Sequence, residues 1–97
     1  MSKTETNKTS KPLVHNMTVD HEILQLLQEE CAEVIQAASK CIRFGEKNNM
    51  LHLEKEIGDL FCIMDIMHKH DMISYTKLDQ FIQEKYEKLE RYSNVLK

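Results

Sequence analysis

Two short runs of acidic residues recur along the chain at a spacing that suits metal binding. The first run holds Glu29, Glu30 and Glu33, and the second holds Glu56 and Asp59. Glu56 and Asp59 follow Glu30 and Glu33 at the same interval of 26 residues (56 − 30 and 59 − 33). Because residues three apart lie on one face of a helix, each run would present its acids on a single side. The sequence therefore predicts two matched helical sets of carboxylates.

Carboxylates gathered in a partly desolvated place repel one another and need a cation to neutralise them. Ligands that are all oxygen suit a hard ion such as Mg²⁺ or Mn²⁺, and Mg²⁺ is commonly shared between carboxylates and substrate phosphates. The alternative is that these acids only pair with lysines or lie along the surface, the usual outcome on a lone helix. The matched second helix favours a metal site formed by Glu30, Glu33, Glu56 and Asp59.

Two of the elements that would position these acids follow from the apolar pattern. From about Thr18 to Phe44, apolar residues recur at helical spacing, and Gly45 is predicted to end this first helix in a left-handed C-cap. A short polar link follows, and Asn48 or Asn49 is predicted to cap a second helix. Together the two helices would form a long hairpin.

A third helix completes the predicted all-α fold, with Ser74 or Thr76 as its cap. The hairpin and the third helix occupy one domain, residues 17–97. Residues 1–16 are rich in Lys, Thr, Ser and Asn and have little apolar content. Because such a composition cannot offset the entropy of ordering the backbone, we predict a flexible N-terminal tail.

The size of the chain favours self-association. It has 97 residues, of which 41% are hydrophobic and 30% are charged, with only two glycines and one proline. A domain of this size buries only about 60 to 65% of the surface that its unfolded chain exposes. Since contact between copies would cover further apolar faces, we expect a homodimer or homotetramer that forms a helical bundle.

Charge and cysteine content argue against several classes of partner. A net charge of −3 and a pI near 5.9 provide no basic face for nucleic acid. No apolar run approaches the roughly 18 to 20 residues that cross a bilayer, and the polar N-terminus does not resemble a signal peptide. The three cysteines are odd in number and lack metal-type spacing. We therefore expect a cytoplasmic protein without a membrane or nucleic-acid partner.

The acidic runs also carry a family resemblance. Residues 29–33 (EECAE), followed by residues 56–59 (EIGD), resemble the EExxE…ExxD signature of MazG-like nucleotide pyrophosphohydrolases. The wider stretches EECAEVIQAASKCIRFGE and LEKEIGDLFCIMDIM are similar to the compact, phage-type, single-module members. The resemblance covers roughly residues 23–67.

This resemblance implies a reaction and roles for the acids. It implies that Mg²⁺, or Mn²⁺, is held by Glu30, Glu33, Glu56 and Asp59. The implied reaction converts a nucleoside or deoxynucleoside triphosphate into the monophosphate and pyrophosphate. Glu29 would be a further ligand or a water-orienting group, and either Glu29 or Glu33 would help to deprotonate the attacking water.

A phosphate-rich substrate also requires cationic side chains. The candidates lie near the end of the first helix and along the third: Lys40, Arg43, Lys85, Lys88 and Arg91. For Lys88 and Arg91, a solvated helix face is an equally good interpretation. Related proteins often carry Asn-x-Lys on the third helix where this chain has Gln83-Glu84-Lys85, so base or sugar recognition departs from the family pattern here.

Two rival functions remain compatible with the sequence. One keeps the metal site but changes the substrate, as in the related helical enzymes that cleave dUTP or phosphoribosyl-ATP. The other is a non-catalytic helical interaction module in which the carboxylates bind only a structural ion or a basic partner. Intact carboxylates at all four positions favour the enzyme.

Overall fold

A computed structural model describes residues 18–97 of the chain. This part contains three helices, α1 (Val19–Phe44), α2 (Met50–Lys69) and α3 (Tyr75–Tyr92), and no strand. The prediction of an all-α fold built from three helices is confirmed. The predicted tail, residues 1–16, lies outside the described residues.

Helix α1 begins and ends where side-chain and glycine chemistry favour it. The Thr18 hydroxyl accepts a hydrogen bond from the His21 backbone N–H at 3.1 Å and caps the first turn. After Phe44, the Gly45 N–H donates to the Cys41 carbonyl at 3.0 Å. Gly45 has the predicted positive φ, 99°, but its ψ of 143° lies outside the left-handed helical region. This conformation is nearly restricted to glycine, so the predicted stop is correct although its geometry differs.

The link between α1 and α2 is held by Asn49. This residue directly precedes α2, as predicted for a cap, but its side-chain amide donates to the Gly45 carbonyl at 2.7 Å. The amide therefore satisfies a carbonyl at the end of α1 rather than a free N–H of α2. Nearby, the Cys41 Sγ lies 3.7 Å from the Met50 Sδ. These contacts close the hairpin.

The chain divides into two compact units at Ile63 and Met64, within α2. The first unit contains α1 and most of α2, and its buried apolar residues are few: Ile23, Ala37, Cys41 and Ile63. Several members of the predicted apolar stripes remain exposed, among them Ile35 at 69%, Ile42 at 86% and Phe61 at 62%. The apolar face of the hairpin is therefore wider than the surface that this single chain covers.

The second unit joins the last turns of α2 to α3. Ser74 caps α3, as one of the two predicted alternatives, with its hydroxyl accepting from the Lys77 N–H at a long 3.4 Å. Asp71 takes a positive φ of 58° in the turn that precedes it. The short polar side chains of Asp and Asn tolerate this conformation better than most, which explains how the turn forms without a glycine.

Polar and aromatic contacts also fasten the second unit. The Tyr75 hydroxyl donates to Asp65 at 3.2 Å, and the Lys69 Nζ lies 3.1 Å from the same carboxylate. The hydrogen bond and the charge of Lys69, followed by the bond from Tyr75, lower the pKa of Asp65. The His68 and Tyr75 rings stack with centroids 3.9 Å apart. These contacts connect the end of α2 to the start of α3.

Candidate metal centre

Three carboxylates converge in the first unit. Glu30 projects from α1, and Glu56 and Asp59 project from successive turns of α2. Each offers an oxygen, and the three oxygens lie within 4.8 Å of one another. We call these three residues the acidic centre. It contains three of the four residues predicted to bind metal.

Glu56 is the buried member of the acidic centre, only 6% exposed. Two basic side chains approach its carboxylate within 4 Å: the His52 Nε2 lies at 3.6 Å and the Lys55 Nζ at 3.9 Å. Both distances exceed the length of a good hydrogen bond. A buried carboxylate without a close donor is costly to the fold, and a bound cation would offset this cost.

The pKa of Glu30 shows the effect of the neighbouring negative charges. Desolvation raises the pKa of Glu30, and the charges of Asp59, Glu56 and Glu33 raise it further. A raised carboxyl pKa means that the folded protein disfavours the ionised form at this position. A bound cation would reverse that preference.

Glu33 and Glu29 lie outside the acidic centre. Both are exposed on α1, although the charge of Glu33 still acts on Glu30. Glu33 occupies the position in α1 that corresponds to Asp59 in α2, yet Asp59 is half-buried. The two helices are thus not equivalent around the centre.

Lys55 and His52 border the acidic centre, and neither was singled out from the sequence as a site residue. The Lys55 Nζ donates to Asp59 Oδ2 at 2.9 Å, and this bond and the Asp59 charge raise the pKa of Lys55. His52 approaches Glu56 one turn away. The only signal in the sequence is an i, i+4 spacing in each pair, which is too common on helices to identify a site.

The predicted phosphate-binding residues are all exposed: Lys40, Arg43, Lys85, Lys88 and Arg91. The Arg43 guanidinium lies 4.8 Å from the ring centre of Phe44, and that of Arg91 lies 5.6 Å from the ring centre of Tyr92. Each arginine therefore rests on the aromatic residue that follows it in the chain. These residues remain candidates on α1 and α3.

The acidic centre suits a divalent cation. Its ligands would be carboxylate oxygens only, the donor set that Mg²⁺ and Mn²⁺ prefer. The buried, poorly bonded Glu56 and the crowded Glu30 both gain from a positive charge placed between them. The residues present therefore fit such an ion.

The fold and the acidic centre define an all-α domain with a candidate divalent-cation site on a helical hairpin. Residues 19–95 match the model of the MazG nucleotide pyrophosphohydrolase domain. Because this match spans most of the chain, the protein belongs to the MazG family of nucleotide pyrophosphohydrolases. No curated protein and no solved structure gives a significant match. The resemblance inferred from the two acidic motifs is confirmed.

Within residues 18–97, none of the helices combines the length and the apolar character that crossing a bilayer requires.

Proposed function

We propose that this protein hydrolyses nucleoside or deoxynucleoside triphosphates to the monophosphate and pyrophosphate, with Mg²⁺ or Mn²⁺ held by Glu30, Glu56 and Asp59. The observation that carries the proposal is the buried Glu56 carboxylate within 4.8 Å of the other two, in a chain of the MazG family. Glu33 is the fourth proposed ligand, because its charge already acts on Glu30.

The exposed acids of α1 have the chemistry for proton transfer. A bound Mg²⁺ would supply Lewis-acid stabilisation of the charge that develops on the phosphates. Glu33 or Glu29 accepts the proton of the water whose oxygen attacks the α-phosphorus. The bond from that phosphorus to the bridging oxygen breaks, and pyrophosphate leaves. Solvent access at both glutamates allows the water to enter and the proton to depart.

Cationic side chains are proposed to bind the phosphate chain. The proposed set is exposed to solvent: Lys40, Arg43, Lys85, Lys88 and Arg91. Arg43 and Arg91 offer forked donors for phosphate oxygens. The net charge of −3 favours a small nucleotide over a nucleic acid as the partner. Cys31, Cys41 and Cys62 are unpaired, as in a reducing compartment, and we place the protein in the cytoplasm.

The reaction is tested by measuring pyrophosphate release from a panel of canonical and modified nucleotides. The panel includes dUTP and phosphoribosyl-ATP, and each nucleotide is assayed with Mg²⁺, with Mn²⁺ and with EDTA. We expect release with either ion, a matching monophosphate product, and no release in EDTA. Release of orthophosphate, or no release from any nucleotide, would contradict the proposal and favour the interaction module.

We further propose that the protein is a homodimer or homotetramer. Large apolar side chains of the first unit stay exposed, including Leu51 at 79%, Ile42 at 86% and Ile35 at 69%. Apolar surface of this extent on a small domain is typical of an interface. A second copy of the hairpin would supply the missing cover.

Sedimentation is expected to give two or four times the chain mass of 11.5 kDa. The double substitution Ile35→Asp and Phe61→Asp places two charges on the exposed apolar face and should give a monomer. Val95→Asp is the control, because Val95 is similarly exposed at 71% but lies near the C-terminus. A wild-type monomer at about 100 μM, where specific oligomers with micromolar affinity are assembled, would refute the assembly.

A further inference from the structure

Lys55 faces two of the three carboxylates in the acidic centre. Its Nζ lies 2.9 Å from Asp59 Oδ2 and 3.9 Å from Glu56 Oε2. The Lys55 side chain is 65% exposed and that of Asp59 is 46% exposed. Because an exposed ion pair contributes little to stability, the ammonium can leave at small cost.

The same helix carries a second lysine pair that serves as a comparison. Lys69 lies 3.1 Å from Asp65, also at i, i+4, and these side chains are 70% and 51% exposed. The N···O distance and the solvent exposure of the two pairs are therefore similar, although Lys55 precedes its acid and Lys69 follows its acid in the chain. Asp65 is not part of the acidic centre, whereas Asp59 is. Only Lys55 would compete with a cation for its carboxylate.

Lys55 also borders an open groove along the first turns of α2. The groove has a volume of about 530 Å³, and its lining comes from α2 and the residues just before it: Asn48, Leu51, His52, Glu54 and Lys55. The flexible four-carbon stem of Lys55 lets one ammonium reach either the carboxylates or this groove. The groove and the acidic centre thus share one cationic side chain.

Charge balance decides which of the two positions is occupied. The acidic centre offers three carboxylates to the single ammonium of Lys55, so this ammonium is held on Asp59 when no other cation is present. A divalent cation at the same oxygens would repel the ammonium and weaken its attraction to Asp59. A phosphate chain in the groove would then give the ammonium an anionic partner away from the metal.

We propose that Lys55 works in two positions: it neutralises Asp59 and Glu56 in the metal-free protein, and on metal binding it turns to the groove and contacts the substrate phosphates. This inference rests on the proposed function, because it requires a metal at the acidic centre. It makes Lys55 a competitor of the metal and a substrate-binding residue that the family motif does not include.

The test is calorimetric titration of Mn²⁺ into the full-length wild type, Lys55→Gln and the matched control Lys69→Gln. Both substitutions remove one exposed ammonium from α2. We expect Lys55→Gln to bind Mn²⁺ about three- to tenfold more tightly than wild type, the scale of one lost surface competitor. Lys69→Gln should bind it as wild type does. Circular dichroism verifies that each variant is folded.

A second titration uses manganese pyrophosphate with Mn²⁺ at saturation. Lys55→Gln should bind this complex about three- to tenfold more weakly, whereas Lys55→Arg, which keeps the charge, should stay close to wild type. Absence of either change in Lys55→Gln, or an equal change in Lys69→Gln, overturns the proposed role of Lys55 but not the metal centre. No Mn²⁺ binding to the wild type or to Lys55→Gln overturns the metal centre, and the role of Lys55 with it.

Discussion

Replacing Glu56 with glutamine is expected to lower pyrophosphate release by about 10²- to 10³-fold, the rate equivalent of losing several kcal/mol of metal-assisted stabilisation. Glutamine keeps the shape of the side chain but removes the charge that a divalent cation requires. Because Glu56 is the buried member of the acidic centre, solvent cannot replace the lost ligand easily. The loss should appear in kcat/KM and in Mn²⁺ affinity together.

The same substitution is not expected to unfold the protein. The basic side chains next to the Glu56 carboxylate lie 3.6 and 3.9 Å away, so glutamine at this position forfeits no short ion pair. Glu22→Gln is a suitable control, because Glu22 is an exposed acid in the first turn of α1. The control should retain wild-type kinetics. Activity of Glu56→Gln within about threefold of wild type, with the same metal dependence, would remove Glu56 from the mechanism.

The convergence of Glu30, Glu56 and Asp59 could be predicted because it depends on two periodicities. Spacing of three residues places Glu56 and Asp59 on one face of α2, and an antiparallel hairpin can bring that face against Glu30. Periodicity gives the direction of a side chain around its helix but not its depth between two helices. Glu33 shows the difference: it has the right direction and is nevertheless exposed.

The sequence also did not predict which apolar residues a single chain leaves exposed. The helical pattern identifies Ile35 and Phe61 as members of an apolar face, and the structure leaves both largely exposed. Amphipathic spacing identifies which helix face is apolar, but it does not show which element, or which copy of the chain, packs against that face. The sequence likewise does not show which backbone group the Asn49 side chain bonds. Asn49 lies before α2, as predicted, but its amide donates to the carbonyl of Gly45 at the end of α1.

Removing the charge of Glu30 is expected to stabilise the metal-free protein and to reduce strongly its stabilisation by metal. Desolvation, then the Asp59 and Glu56 charges, raise the pKa of Glu30 above its usual 4.5. A raised carboxyl pKa means that the ionised form destabilises the fold, and this penalty is fully present at neutral pH. It disappears as the pH falls below the ordinary value, where the carboxyl is neutral in both folded and unfolded chains. Glutamine is neutral at every pH, so metal-free Glu30→Gln should melt above wild type at pH 7.

The wild type should respond to metal much more strongly than this variant. A ligand at one hundred times its dissociation constant stabilises the folded state by about 2.7 kcal/mol. For a domain of this size, that corresponds to a rise in melting temperature of roughly 10 to 20 °C. Glu30→Gln loses a ligand from the acidic centre and should show only a small part of this rise.

The measurement is thermal unfolding at one fixed protein concentration, with EDTA or with saturating Mn²⁺, at pH 7 and near pH 4. At pH 7, Glu30→Gln should have the higher melting temperature in EDTA, and the wild type should have the higher one in Mn²⁺. The difference between their metal-free melting temperatures should shrink toward pH 4. Glu22→Gln, which removes an acid outside the acidic centre, should keep the full wild-type rise in melting temperature with Mn²⁺. A variant that melts below wild type in EDTA would show that Glu30 stabilises the fold directly. A full rise in the melting temperature of Glu30→Gln with Mn²⁺ would show that the metal binds elsewhere. The Glu30 carboxylate is expected both to repel its neighbours in the metal-free acidic centre and to attract the cation, so one substitution should remove both effects.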